Sequence, residues 1–111
     1  MRSRVERFAE PAVLLLLREQ PGHGYDLLER IAELSGEPID MGNLYRVLRA
    51  LEEEGLVRSE WHGEGSGPAR RSYELTDAGR RLLDTWAESL RGMQQRIGGF
   101  LERYERGKEV S

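Results

Sequence analysis

Residues 43–57 read NLYRVLRALEEEGLV, and within them Leu44, Val47, Leu48 and Leu51 recur at steps of three and four. That spacing puts four apolar side chains on one face of an α-helix. Asn43, Tyr45, Arg46 and Arg49 fall on the remaining face near its start, while Glu52, Glu53 and Glu54 crowd its end. Negative charge at a helix C-terminus opposes the helix dipole, so helix stability alone does not account for this order. Basic side chains at the end whose free N–H groups already favour anions suit a polyanion met head-on.

The neighbouring residues supply stops and starts on both sides. Asp40 can cap this helix after Pro38, and Gly55 can end it in a left-handed turn. Upstream, GHGYDLLERIAELSG (22–36) predicts another helix, with Tyr25, Leu28, Ile31 and Ala32 on its apolar stripe, Leu27 and Leu34 widening it, and Gly36 closing it. Pro11 suits the first position of a helix that runs to about Glu19 and stops at Pro21-Gly22. Downstream, Val57, Ser59 and Trp61 alternate with Arg58, Glu60 and His62, then GEGSGP (63–68) forms a flexible tip, and ARRSYEL (69–75) alternates again. Two short strands about a tip of turn-formers make a hairpin. Thr76-Asp77 can cap a last helix reaching about Arg106.

The expected fold is therefore mainly α with a small β-hairpin: a winged helix-turn-helix with a long C-terminal dimerisation helix. Residues 1–78 would form the winged helix-turn-helix DNA-binding domain, and 79–111 the dimerisation helix and a short tail. In a helix-turn-helix the second helix enters the DNA major groove, its N-terminal side chains approaching base edges. The SGEPID connection is longer than the usual three or four residues of that motif. Asn43, Tyr45, Arg46 and Arg49 are then the expected DNA-facing residues, with Arg70 and Arg71 reaching phosphates from the hairpin and Arg58 on its outgoing strand.

Composition constrains the rest. The chain has 111 residues and a formal charge of −3, so attraction to nucleic acid must come from a local patch and not from net charge. With no cysteine there is neither a disulfide framework nor a thiolate metal site, which fits a cytoplasmic setting. Arg2, Arg4 and Arg7 precede the apolar run AVLLLL, but that run is shorter than a signal core or a membrane span, so a buried first helix is expected and no membrane partner. His23 is expected to cap or pack and His62 to face solvent, with no metal site between them. No nucleophile, acid–base pair or phosphate loop gives catalysis any support, and no cofactor is expected.

Leu83, Trp86, Leu90, Met93, Ile97, Phe100 and Tyr104 alternate steps of three and four across the last helix, an a/d heptad pattern. Some 30 residues of helix span about 45 Å, more than a small domain can cover alone, so a homodimer is expected. Gly98-Gly99 is where that helix would bend or end.

Together PAVLLLLREQPGHGYDLLERI, NLYRVLRALEEEGLV and SGPARRSYELTDAG resemble the PadR family of bacterial transcriptional regulators, in collinear order over about residues 11–90. The resemblance implies a dimeric winged-helix repressor, with Tyr45 and its neighbours on the recognition helix and Arg70 and Arg71 in the wing. Some members bind flat aromatic compounds between subunits, which makes Trp86, Leu90 and Met93 candidate contacts for a small aromatic effector. The family commonly opens its third helix with Pro-Gly-Thr-Leu-Tyr-Pro, whereas here Met41-Gly42-Asn43-Leu44-Tyr45-Arg46 stands, and Ser72 replaces a frequent aromatic. Two rivals to a DNA-binding regulator are a winged-helix protein-interaction adaptor, favoured by a pI near 5.5, and a carrier of a ligand held between subunits.

Overall fold

The computed structural model describes residues 4–63 and 70–110. Its elements run α1 (Arg4–Glu19), β1 (Gly22–His23), α2 (Gly24–Ser35), α3 (Met41–Glu53), β2 (Val57–His62), β3 (Arg70–Leu75) and α4 (Asp77–Val110). The three strands form one antiparallel sheet in the order β1-β3-β2. This is the mainly helical winged architecture expected, with one strand added. β1 pairs Gly22 with Tyr73 and His23 with Ser72. Two residues have no periodicity to read, so sequence patterning could not reveal it. Most of the expected tip falls in residues 64–69, outside the described residues.

The core forms where the apolar faces of three helices meet the sheet. Val13, Leu14 and Leu17 of α1, Leu27 and Ile31 of α2, and Leu44, Leu48 and Leu51 of α3 are at most 3% exposed. Val57, Tyr73, Leu75 and Leu83 close the cluster from β2, β3 and α4. Burying each leucine contributes roughly 1.5–3 kcal/mol before chain entropy is counted.

Two expectations about these helices need correction. α1 starts at Arg4, not at Pro11, and Pro11 lies buried inside it. Proline forfeits one backbone bond there, but Phe8 and Ala9 upstream pack on the core and favour the longer helix. In α2 the buried stripe runs through Gly24, Leu27 and Ile31, leaving Tyr25 76% exposed and Leu34 42% exposed. Tyr25 lies about 100° round the helix from Gly24, which turns it off the core face.

Caps fix the relative position of the helices. Arg30 of α2 donates from Nη2 to the Leu16 carbonyl at 2.6 Å, closing the C-terminus of α1. Asp40 caps α3, accepting from the Asn43 N–H at 2.8 Å. At the other end Leu56 N–H reaches the Leu51 carbonyl at 2.8 Å and Gly55 N–H the Glu52 carbonyl at 3.0 Å. That is a Schellman turn, and Gly55 takes the positive φ of 76° it demands. Thr76 Oγ1 accepts from Gly79 N–H at 3.1 Å and donates to the Gly55 carbonyl at 2.7 Å, so α4 starts tied to the end of α3.

α4 then continues through Gly98-Gly99 to Val110, so the helix does not stop there. The two glycines lie in open space, and their propensity cost of about 0.8–1.0 kcal/mol each is spread over a 34-residue helix.

Candidate nucleic-acid interface

α3 lies with Leu44, Leu48 and Leu51 in the core, which turns Tyr45, Arg46 and Arg49 outward. Arg46 and Arg49 have no ion pair among the described residues, and neither has Arg70 at the start of β3. Asn43 is half-buried and its amide donates to the Asp40 carboxylate at 2.6 Å, so this side chain also serves the cap. Tyr45 leans against the start of α2. A Cβ built on Gly24 would lie 2.7 Å from the Tyr45 hydroxyl, so any larger residue there would push the phenol aside.

A cleft of about 630 Å³ opens between the N-terminus of α2, the face of α3 and the wing. Tyr25, Tyr45, Trp61 and Tyr73 line it together with Arg49 and Arg71. Burial pushes the Tyr73 hydroxyl above its ordinary pKa, with the Arg71 guanidinium offsetting part of the rise.

Arg71 stands apart from the other arginines. Its Nε donates to Ser59 Oγ at 2.7 Å, and its Nη2 lies 3.3 Å from Glu52 Oε1. Ser59 Oγ in turn donates to the other Glu52 oxygen. The guanidinium lies 5.3 Å from the centre of the Trp61 ring. The Arg71 and Glu52 side chains are 39% and 32% exposed, so water screens the pair and its net stabilisation is at most about 1 kcal/mol. Its consequence is geometric: it joins the end of α3 to both strands of the wing. Arg58 likewise pairs across the strands, with Glu74. Sequence reasoning noted Glu52 only as part of an acidic helix end and assigned no contact to Ser59. The available signal was the unfavourable placement of Glu52 at a helix C-terminus, which the Arg71 contact explains.

The two histidines come together unexpectedly, with ring centres 6.4 Å apart and edge to face. His23 is the N-cap residue of α2, its N–H donating to Asp26 at 3.2 Å, and its Nδ1 lies 3.3 Å from the Arg71 carbonyl. His62 is exposed, and its Nε2 is 2.7 Å from Ser72 Oγ. No group of three or more metal-binding side chains occurs among the described residues.

The stripe on α4 divides in two. Leu83 is buried in the chain's own core, and Trp86 and Leu90 are half-buried. Trp86 packs against the core cluster and its indole N–H donates to Glu10 of α1 at 3.1 Å. Beyond this, Met93, Ile97, Phe100 and Tyr104 are 46%, 52%, 68% and 53% exposed.

This geometry has clear counterparts. The family model described as "Transcriptional regulator PadR-like family" matches residues 13–85. The chain belongs to the PadR-like family of transcriptional regulators. A PadR family regulator from Eggerthella lenta superposes with a TM-score of 0.78 at 35% identity, over 88% of this chain and 85% of that one. The chain is 29% identical over 82 residues to the negative transcriptional regulator PadR of Bacillus subtilis, covering 72% of this chain and 45% of that protein. The crystal structure of that PadR in complex with operator DNA matches with a TM-score of 0.64, over 70% of this chain and 45% of that one. A 37.1 kDa protein from a Streptomyces fradiae transposon is 37% identical over 90 residues, which is 80% of this chain but 25% of that protein. The chain thus spans less than half the length of the curated relatives it matches. No helix among the described residues is long and apolar enough to cross a membrane.

Proposed function

We propose that this chain is a DNA-binding transcriptional repressor that acts as a homodimer. One observation carries the reading: Arg46, Arg49 and Arg70, unpaired among the described residues, lie on the recognition helix and the adjoining wing of a chain whose net charge is −3. α3 would enter the major groove with Arg46, Arg49 and Tyr45 toward base edges and flanking phosphates, and Arg70 would reach a phosphate from the wing. Residues up to about 78 would hold the DNA and the remainder would join two subunits. The operator-bound PadR and its description as a negative regulator support both DNA binding and repression.

The exposed part of α4, from Met93 to Tyr104, is the surface that a second copy would cover. A small aromatic effector would lie between subunits against Trp86, Leu90 and Met93, where π-faces and a thioether favour flat ligands. Trp86 already spends its indole N–H on Glu10, so it would offer such a ligand only its ring.

The test is fluorescence anisotropy on a duplex from upstream of the protein's own gene, titrated at several salt concentrations. Wild type should prefer that duplex to a scrambled one. An Arg46→Ala/Arg70→Ala variant should bind more weakly, its slope of log K against log salt shallower by about 0.9 for each phosphate contact removed. Absence of binding even at low salt would sink the regulator and favour the protein-interaction adaptor.

A further inference from the structure

We propose that Arg71 is a positioning residue and not a phosphate ligand. With Glu52, Ser59 and Trp61 it forms a latch that sets the angle of the wing against the recognition helix. The inference rests on the DNA-binding reading and refines it, because it separates two adjacent wing arginines into different roles. Arg70 carries no ion pair among the described residues and is free to meet a phosphate. Arg71, its neighbour, borders the same cleft, but its guanidinium is held by Glu52, Ser59 and Trp61.

The contacts show what the latch joins. Glu52 lies in the last turn of α3, one turn beyond Arg49 on the cleft-facing side. Ser59 and Trp61 are on β2, and Arg71 is on β3 directly opposite Trp61 in the register. The Glu52 carboxylate uses one oxygen for Arg71 and the other for Ser59, while Arg71 also bonds Ser59 and stacks on Trp61. Recognition helix, outgoing strand and returning strand therefore meet in one closed network. A planar guanidinium can bond two partners in its plane and present its face to an indole at once, which an ammonium cannot.

This geometry makes an inverted electrostatic prediction. Glu52 is an acid beside a surface meant for a polyanion, so charge alone says that removing it should strengthen DNA binding. If the latch holds the wing in register, removing Glu52 should weaken binding instead.

The experiment uses the full chain and compares Glu52→Ala, Arg71→Lys, Arg71→Ala and their Glu52→Ala/Arg71→Ala combination, with Arg70→Ala as the phosphate-contact control. Circular dichroism melts establish that each is folded. DNA affinity is measured by anisotropy across salt concentrations. In parallel, without DNA, acrylamide quenching of Trp61 is followed in a Trp86→Phe background, which leaves that tryptophan alone. The latch predicts that Glu52→Ala loses affinity severalfold, and that Arg71→Lys loses nearly as much as Arg71→Ala. Trp61 is already 64% exposed, with Arg71 over one face of its ring. The latch therefore also predicts that either single change raises its quenching moderately above the wild-type level and that the double change adds little more.

Tighter binding by Glu52→Ala would overturn it. So would wild-type affinity and an unchanged salt slope in Arg71→Lys, because a lysine replaces arginine well only as a point charge on phosphate. Should wild type bind no duplex at all, the regulator reading falls and the latch's bearing on DNA falls with it. The quenching series then judges the contact network alone: non-additive changes uphold it and additive ones overturn it.

Discussion

Tyr73 is 4% exposed, yet its ring lines the cleft beside Arg71, Tyr45, Glu52 and Arg49. Burial raises its pKa above the ordinary 10.0, because the phenolate would be stranded away from water. The sign of the consequence follows from proton counting. Below about pH 10 the phenol is neutral in both folded and unfolded chains and contributes no pH dependence. Above that, the unfolded chain releases the proton first, so stability falls as pH rises toward the folded value. Tyr73→Phe should therefore melt like wild type at neutral pH and lose less of its melting temperature between pH 9 and pH 11. Parallel alkaline losses in both proteins would show that some other group drives the decline. The same tyrosine illustrates what sequence alone could offer for the site. Arg46, Arg49 and Arg70 could be singled out as candidates from sequence because charge on the non-core face of a helix or beside a glycine-rich tip needs no tertiary contact to be recognised. Glu52, Ser59, Tyr73 and Gly24 acquire their roles only when strands and helices meet. Arg71 looked equivalent to Arg70 because their difference lies in a partner 19 positions away.

Among the secondary elements, those with strong local signals came out as their residues predicted. The third helix had both a period and two caps, and its observed ends match them: Asp40 at the start and Gly55 just past the end. α4 begins at the Thr76 cap expected of it. The failures share a cause. Pro11 looked like a start because proline favours that position, but tertiary packing of Phe8 and Ala9 outweighs a local preference. Gly98-Gly99 looked like a stop, yet a long helix tolerates two propensity penalties in open space. β1 was invisible because its pairing with β3 is its only reason to exist. Asp40→Ala removes the acceptor of the Asn43 N–H and the partner of the Asn43 amide. Urea unfolding should report a loss of roughly 0.5–2 kcal/mol, the usual worth of such a cap. A loss near zero would mean that neighbouring side chains or water take over the bond. On the proposed DNA-binding reading affinity should fall as well, since fraying would disorder the end of α3 that would lead toward the groove.

Taken whole, the chain measures 69 × 26 × 25 Å, because α4 projects well beyond the winged domain. At 1.5 Å per residue its 34 residues span roughly 51 Å. Among the described residues its first part packs on the rest of the chain, through Leu83 in the core and Trp86 on Glu10. The exposed side chains of Ile97 and Phe100 lie on the part that the monomer leaves bare. An Ile97→Glu/Phe100→Glu variant therefore separates assembly from folding. Neither residue belongs to the chain's own core, so the winged domain should keep its helical spectrum and much of its melting cooperativity. Sedimentation should show a dimer for wild type and a monomer for the variant. On operator DNA the monomer would hold one half-site in place of two, so its affinity should collapse and its salt slope should fall to about half. A variant that still sediments like wild type would place the subunit contact elsewhere. A monomer that binds as tightly as wild type would mean that one winged domain suffices, and α4 would need another purpose.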